Sequence, residues 1–584
     1  MYIIGIDLGT TNCTMAYTSQ KDAIQQFAIP QADSNGAAEE QAILPSFIYF
    51  PLEEELQAKA GAIPWDLERT FCVGAFARDR GKELPYRMVA SAKSWLCHLG
   101  VDRREALLPL GADEEGTPKI SPLDACSELL RHLKEAWDYK MELPFEEQQI
   151  LITVPASFDP SARQLVQEAA EKAGYPEIIL LEEPQAAFYA WLHTHDKHWR
   201  KILTVGDTIL VVDIGGGTTD FSLIQVNESG GDLILERLAV GSHLLLGGDN
   251  IDLGLAYLAK NKLEEKGHTI DDWQLQALVH ACRQAKEQLL GDHPPAEADI
   301  AIMGRGSRLI GGTLKTTLSQ EEIRNFVIDG FTPFVASNEH PAAENRAGMQ
   351  QIGLPYAQDP RITFQLAQFL SNGNPAGFPT AVLFNGGTTK AASLRQRVIE
   401  QLNAWAKEAG HPALKELEGA DYDFAVSRGA VYYGLARTGD AIRIKSGTSR
   451  SYFIGVEDAA PAVPGIATPM KAICIAPFGM EEGTSQNLEQ REFALVLGEQ
   501  ATFRFFSAAV SHPLGTIIRN WKQELVELHP IEARLPNEEG DGKTIRVKIH
   551  SKVTELGVLE IWCVAADGRK WKLEFDIRKE EALV

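Results

Sequence analysis

The sequence has no run of about 18 apolar residues, the least an α-helix needs to cross a bilayer, and no CxxC pair. Its seven cysteines (Cys13, Cys72, Cys97, Cys126, Cys282, Cys474, Cys563) are scattered and odd in number, which predicts free thiols rather than a disulfide frame or a zinc site. Basic residues are also scarce: 56 Lys and Arg stand against 80 Asp and Glu, a formal charge of −24. Phosphate contacts need clustered Lys and Arg, so neither nucleic acid nor an anionic membrane is expected as a partner. The strand-like start, Tyr2 to Ile6, carries no basic stretch, long apolar region or cleavage site, so a cytoplasmic setting is expected. No Ser-His-Asp or Cys-His signature supports nucleophilic hydrolysis. His193, His195 and His198 fall in a polar stretch after a helix, which reads as surface rather than as a metal site.

What is present is enough apolar material, 44% over 584 residues, to bury large cores in several domains. Two apolar strands end alike, in Asp7-Leu-Gly-Thr-Thr11 and Asp213-Ile-Gly-Gly-Gly-Thr-Thr219, and each leads into a second alternating run, Cys13 to Tyr17 and Phe221 to Val226. A strand, Asp-x-Gly turn, strand unit occurring twice predicts two halves of related fold. Between them, Ile150 to Val154 reads as a buried strand, followed by a helix with Asp159 as N-cap, Pro160 at its first position and Gly174 at its end. Strands alternating with helices predict α/β layers. A third turn, Asn385-Gly-Gly-Thr-Thr-Lys390, opens a helix from about Ala391 to Trp405, and helical patterning stops near Thr438. From about 447 the texture is of alternating strands, with Trp571, Leu573, Phe575 and Ile577 on one face and Ile545, Val547 and Ile549 repeating the pattern.

The glycines allow the backbone to turn and bring N–H groups up to a phosphate, and the threonine hydroxyls add donors. Asp7 and Asp213 would repel a phosphate unless a cation stood between, and hard oxygen ligands around a triphosphate point to Mg²⁺ held partly through water. Two facing loops of this kind, joined by the third Gly-Gly turn, make a clamp for a metal triphosphate.

Taken with Leu151-Ile-Thr-Val-Pro-Ala-Ser-Phe158, Leu181-Glu-Glu-Pro-Gln-Ala-Ala187 and Leu246-Gly-Gly-Asp-Asn-Ile-Asp252, these motifs stand in order over residues 1 to about 437. In that order they resemble the ATPase domain of the DnaK family of seventy-kilodalton heat-shock chaperones. The resemblance implies a duplicated actin-like ATPase fold over 1–437, with two lobes dividing near 204, a linker over 438–446, and a β-sandwich-like substrate domain over 447–584 without a helical lid. It implies ATP or ADP with Mg²⁺, the metal reached from Asp7 and Asp213 through water. Gly9, Thr10, Thr11 and Asn12 would hold one side of the phosphates, and Gly215, Gly216, Gly217 and Thr218 the other, with Gly247 and Gly248 beside them. Glu183 would place the attacking water, Pro155 and Arg163 would relay nucleotide state, and Lys286, Gly386, Gly387, Lys390 and Asp423 would face the adenosine. Arg78, in Val73-Gly-Ala-Phe-Ala-Arg78, stands where this reading puts the family's catalytic lysine, which predicts slow turnover. Lys390 replaces an arginine, while Arg283, Glu287 and Leu290 depart from the adenosine-contacting types. The linker, Thr438 to Gly447, is basic and alternating where the family's is acidic and aliphatic, so weak nucleotide control of the β domain is expected. The implied partner is a polypeptide client or dedicated protein, with J-domain and exchange partners left open. A sugar or acid kinase of the same fold, or an actin-like filament protein, are the alternatives.

Overall fold

The computed structural model describes residues 1–573 apart from 20–22, 34, 99, 111–116, 196–197, 230–231, 242–243, 305–311, 343–352, 355, 372–376, 438–443, 446–447, 449, 459–467, 481–483, 498–499, 509, 535–542 and 555–558. The first sheet is built on β1 (Ile3–Leu8) and β2 (Asn12–Thr18), an antiparallel pair. β3 (Gln149–Val154) adds parallel to β1, and β4 (Ile178–Glu182) parallel to β3. The second sheet repeats this plan. β5 (Thr208–Ile214) pairs antiparallel with β6 (Thr219–Ser229) and parallel with β8 (Ala381–Asn385), which pairs parallel with Lys415–Glu416, while β7 (Asp232–Val240) extends the other edge beside β6. The central parallel strands are covered on both faces, so they read as near-continuous apolar runs: Ile209 to Val212 are all fully buried.

Each sheet has its own core on its outer side. A third core lies between them, where Ile3 and Leu151 of the first sheet meet Ile209, Val211, Ala381 and Leu383 of the second. Two helices fill that space: α5 (Glu183–His195) and α9 (Ala425–Arg437). Their approach is close enough to require glycine. A side chain at Gly429 would collide with the Ala186 carbonyl, and one at Gly5 with the Ser427 carbonyl. Thr14 of β2 donates to Ser427 of α9 at 3.0 Å, so the last helix of the second half completes the first.

The helix expected after β3 is α4 (Pro160–Lys172). Asp159 Oδ1 accepts from the Ala162 N–H at 2.8 Å, and Gly174 follows with φ of 80°. Further helices of the two halves are α1 (Ala75–Gly81), α2 (Ala92–Trp95), α3 (Pro122–Lys140), α6 (Gly248–Glu265), α7 (Asp272–Leu289) and α8 (Ala392–Glu408). His193 and His195 lie inside α5 rather than beyond it, with His195 stacked on Trp191.

The last helix of the second half, α9, ends at Arg437. Part of the linker is not loose chain: Ile444–Lys445 adds as a short parallel strand beside β7, at Leu235 and Glu236. Beyond it two antiparallel sheets share one core. One holds β9 (Ser451–Glu457), β10 (Met470–Ala476), β12 (Gln500–Ala508) and β13 (Val526–Arg534). The other holds β11 (Phe493–Leu497), β14 (Lys543–Val553), β15 (Leu559–Ala565) and β16 (Lys570–Leu573). Arg450, only 8% exposed, ties this unit to the second lobe, donating to Ser507 Oγ at 3.4 Å and to the Gly241 carbonyl at 3.1 Å. Phe575, Ile577 and everything after Leu573 lie outside the described residues. All seven cysteines are free thiols, and among the described residues no helix is long and apolar enough to cross a membrane.

Candidate functional site

The two Asp-x-Gly turns face each other across the gap between the sheets. A Cβ at Gly216 would strike the Thr11 side chain, and one at Gly217 would come within 2.7 Å of Thr10 Cγ2, so the turns approach as closely as glycine permits. The second turn is closed by the Gly215 N–H donating to the Thr218 carbonyl at 2.9 Å. The start of α6 docks on it: the Gly248 N–H donates to Gly215 O at 3.1 Å and the Asp249 N–H to Gly216 O at 2.7 Å. The third Gly-Gly turn closes the ring. Gly386 has φ of 87° and no room for a side chain, since a Cβ would lie 2.5 Å from Asp213 Oδ1, and Thr388 Oγ1 donates to Gly215 O at 2.8 Å. Asp7, Gly9, Thr10, Thr11 and Asn12 thus meet Asp213, Gly215, Gly216, Gly217 and Thr218, with Gly247, Gly248, Gly386 and Gly387 alongside.

Beneath the turns sits a buried charge cluster. Lys93 on α2, 3% exposed, is ion-paired with Glu183 at the start of α5. Burial pulls the Lys93 ammonium down, but Glu183 and Asp7 more than offset this, so it stays charged. Asp7 and Asp213 are both pushed up: burial is the main cause, and Glu183 is the next. Asp213 is steadied by the Asn385 amide at 2.7 Å, and Asp7 faces Thr153 Oγ1 at 3.3 Å. Asp220, bonded by Ser157 Oγ, is pushed up to about 7 by burial first. Four carboxylates therefore share one buried ammonium. Ser91, just before Lys93, holds a left-handed backbone with φ of 55°, which a non-glycine residue adopts at a cost and which fixes the direction of α2.

From the turns a cavity of about 720 Å³ runs outward between the lobes, lined by Thr11, Asn12, Gly216, Gly248, Lys286, Gly387 and Lys390 among others. Its far end is full of paired charge. Arg283 reaches Asp252 at 2.7 Å and Asp249 at 2.5 Å, Lys286 reaches Asp252 at 2.7 Å, and Lys390 is paired with Asp423.

A family model described as Hsp70 protein matches residues 3–336. The chain belongs to the Hsp70 family. Curated relatives include the chaperone protein HscA homolog of Acinetobacter baylyi (strain ADP1), 28% identical over 296 residues, which is 49% of this chain and 42% of that protein. The HscA homolog of Acinetobacter baumannii (strain AYE) is 33% identical over 178 residues, 30% of this chain and 27% of the relative. The matched stretch thus spans less than half the length of these relatives.

In this Hsp70-family chain one expected placement fails. Arg78 does not enter the charge cluster. It sits on α1 at the rim of the cavity, 39% exposed, and its guanidinium is bidentate on Asp79 at 2.9 and 3.0 Å. The cation among the acidic residues is Lys93. Counting from Val73-Gly74 lands on the wrong basic residue, because α1 carries Arg78 to the outer rim of the cavity, where Asp79 holds it, rather than to the buried centre. The one local signal for Lys93 is a lone lysine amid Met88, Val89, Ala90, Trp95 and Leu96. Arg163 is buried, donating to Glu182 Oε1 at 2.7 Å and to the Phe158 carbonyl at 3.1 Å, and follows Pro155 along the chain by way of the Asp159 helix start.

The residues fit a metal nucleotide. A Cβ at Gly9, Gly216, Gly217, Gly247 or Gly386 would collide with the neighbouring turns. Ser94 Oγ is buried beside Gly217 with no hydrogen-bond partner. The carboxylate excess calls for a cation. Among the described residues no three His, Cys, Asp or Glu side chains come together to bind a metal directly.

Proposed function

We propose that this Hsp70-family protein binds Mg-ATP in the inter-lobe cleft, hydrolyses it slowly, and uses that cycle as a chaperone acting on a polypeptide through its β domain. The observation that carries the reading is the buried Lys93–Glu183 pair beside Asp7 and Asp213, beneath the two Asp-Gly turns. The turns would offer backbone N–H groups and the hydroxyls of Thr10, Thr11 and Thr218 to the phosphates. Glu183 accepts a hydrogen bond and so can orient a water for in-line attack, and Lys93 holds a fixed positive charge where negative charge builds up. Mg²⁺, when bound, would supply charge neutralisation between the phosphates. Asp7 and Asp213 would face its water shell. Pro155 and Arg163, the latter held by Glu182, would relay the state of this centre. The HscA homologs are chaperones by name, and a dedicated polypeptide partner for this chain follows that likeness.

Calorimetric titration with ATP, ADP and a non-hydrolysable analogue, with and without magnesium, tests the nucleotide half. The expected result is tight binding that weakens when magnesium is removed. Absence of binding to all three would end the proposal.

A further inference from the structure

The connection between Phe331 and the helix Ile362–Ser371 lies largely past residue 336, where the match to the family model stops. Both of its ends are pinned to the second lobe. The Val335 carbonyl accepts from Gln401 Nε2 at 3.0 Å and from Trp405 Nε1 at 2.9 Å, both on α8. Asp359 is buried and bidentate with Arg361 at 2.8 and 2.6 Å, and its carbonyl accepts from Gln365 Nε2 at 3.1 Å. Between these anchors the chain reaches across to the other lobe. The Ala357 N–H donates to the Leu245 carbonyl at 3.1 Å, two residues before Gly247, and its side chain packs on the second lobe's core. A tight turn follows towards the first lobe, with the Tyr356 N–H on the Leu354 carbonyl at 2.9 Å. Leu354 packs against the first lobe's core, and the Gly353 carbonyl lies 2.9 Å from His98 Nε2. His98 Nδ1 accepts from the Gly100 N–H at 3.0 Å, so the ring proton sits on Nε2 and is donated to Gly353. The His98 ring is itself stacked on Trp95 of α2, the helix that carries Lys93.

We propose that Gly353, Leu354, Tyr356 and Ala357 form a latch across the lobes at the phosphate end, whose release from His98 and the first core sets how fast nucleotide enters and leaves. Gly216 and Gly217 face Thr11 and Thr10 with no room for a Cβ, so the walls must part before a triphosphate can pass between them. The contacts to be broken are one half-buried leucine and one hydrogen bond, few enough to open thermally and enough to slow the opening. None of the four latch residues lines the cavity. A latch that closes the empty and the filled cleft alike raises the barrier to entry and exit by the same factor and leaves affinity nearly unchanged.

The inference rests on the cleft being a nucleotide site, and the test separates the two. Stopped-flow association and dissociation of a fluorescent ADP are measured on wild type, Leu354→Ala, His98→Ala and His98→Gln, with thermal melts to confirm folding. Amide hydrogen exchange at residues 9–12 and 215–218 of the nucleotide-free proteins reads lobe separation without any ligand. Leu354→Ala should speed association and dissociation together by about tenfold, the scale of a half-buried leucine. His98→Ala should speed both about threefold, the scale of one hydrogen bond, and His98→Gln, whose amide still donates, should recover most of that. Exchange at the two turns should quicken in the same order. Release that quickens without faster entry would make the segment a ligand contact, and unchanged rates in both alanine variants would equally overturn the latch. If wild type binds no nucleotide, the nucleotide reading fails and the exchange data alone decide: turns that exchange as in wild type end the proposal.

Discussion

The two ends of the cleft are built on opposite principles. At the proposed phosphate end the surface is backbone: Gly9, Gly216, Gly217, Gly247 and Gly386 are packed so that no Cβ fits, over a buried centre in which acidic groups outnumber cations. At the base end the surface is side chain, and nearly every charge already has a partner, as in Arg283 with Asp249 and Asp252. The first end is strained without its ligand, and the second is satisfied without it. Affinity and catalysis should therefore be fragile at one end and tolerant at the other.

The largest break of that contrast comes from Gly216→Val, which puts a side chain where backbone must meet phosphate. Loss of ATP affinity of at least about a hundredfold, ~2.7 kcal/mol, is expected by calorimetry. A folded variant with undiminished affinity would show that the turns do not hold the nucleotide. Next is Lys93→Ala, expected to slow single-turnover phosphate release by about a hundredfold, the usual cost of removing one electrostatic stabiliser. ATP affinity should change far less, and equal loss in both would make Lys93 a binding residue only.

The opposite electrostatics can be read through pH. Burial raises the folded pKa of Asp213 above its ordinary value near 4, so the native state holds its proton longer than the unfolded chain, and stability falls as pH rises through that window. His280, at the base end, is pushed down to about 4, mainly by burial and then by Arg283, so its contribution is lost as pH falls from about 6.5 to about 4. Nucleotide-free Asp213→Asn should accordingly melt a few degrees higher than wild type at pH 8, with the gain vanishing near pH 4, while His280→Gln should flatten the acid side of the curve. An Asp213→Asn variant no more stable at pH 8 would mean that the carboxylate is relieved from a source other than its ligand. The smallest effect belongs to Arg78→Lys: an exposed pair with Asp79 contributes little, and turnover should stay within about threefold of wild type. A larger acceleration would restore Arg78 to the reaction.

The duplication was legible because strand, turn and strand are local and carry a period-two pattern, and the Asp159-Pro160 helix start because a cap is local too. Arg78 and Lys93 mark where such reading stops. Both are basic residues near the same turn, and only the left-handed Ser91 and the packing of α2 decide which of them points inward. Arg450 was hidden for another reason: its partners are a carbonyl and a hydroxyl on two other segments, which leave no pattern in the sequence.

The return of α9 into the first half bears on how the protein is made. Thr14 and its partner Ser427 lie 413 residues apart, and on a ribosome adding roughly 5–20 residues per second that contact waits about 20–80 s. Throughout that interval the inner faces of β1 and β3, Ile3 and Leu151 included, lack the helix that covers them. A protein of this architecture is itself exposed to the hazard of an unfinished nascent chain, and its first half depends on late-arriving residues to be shielded from water.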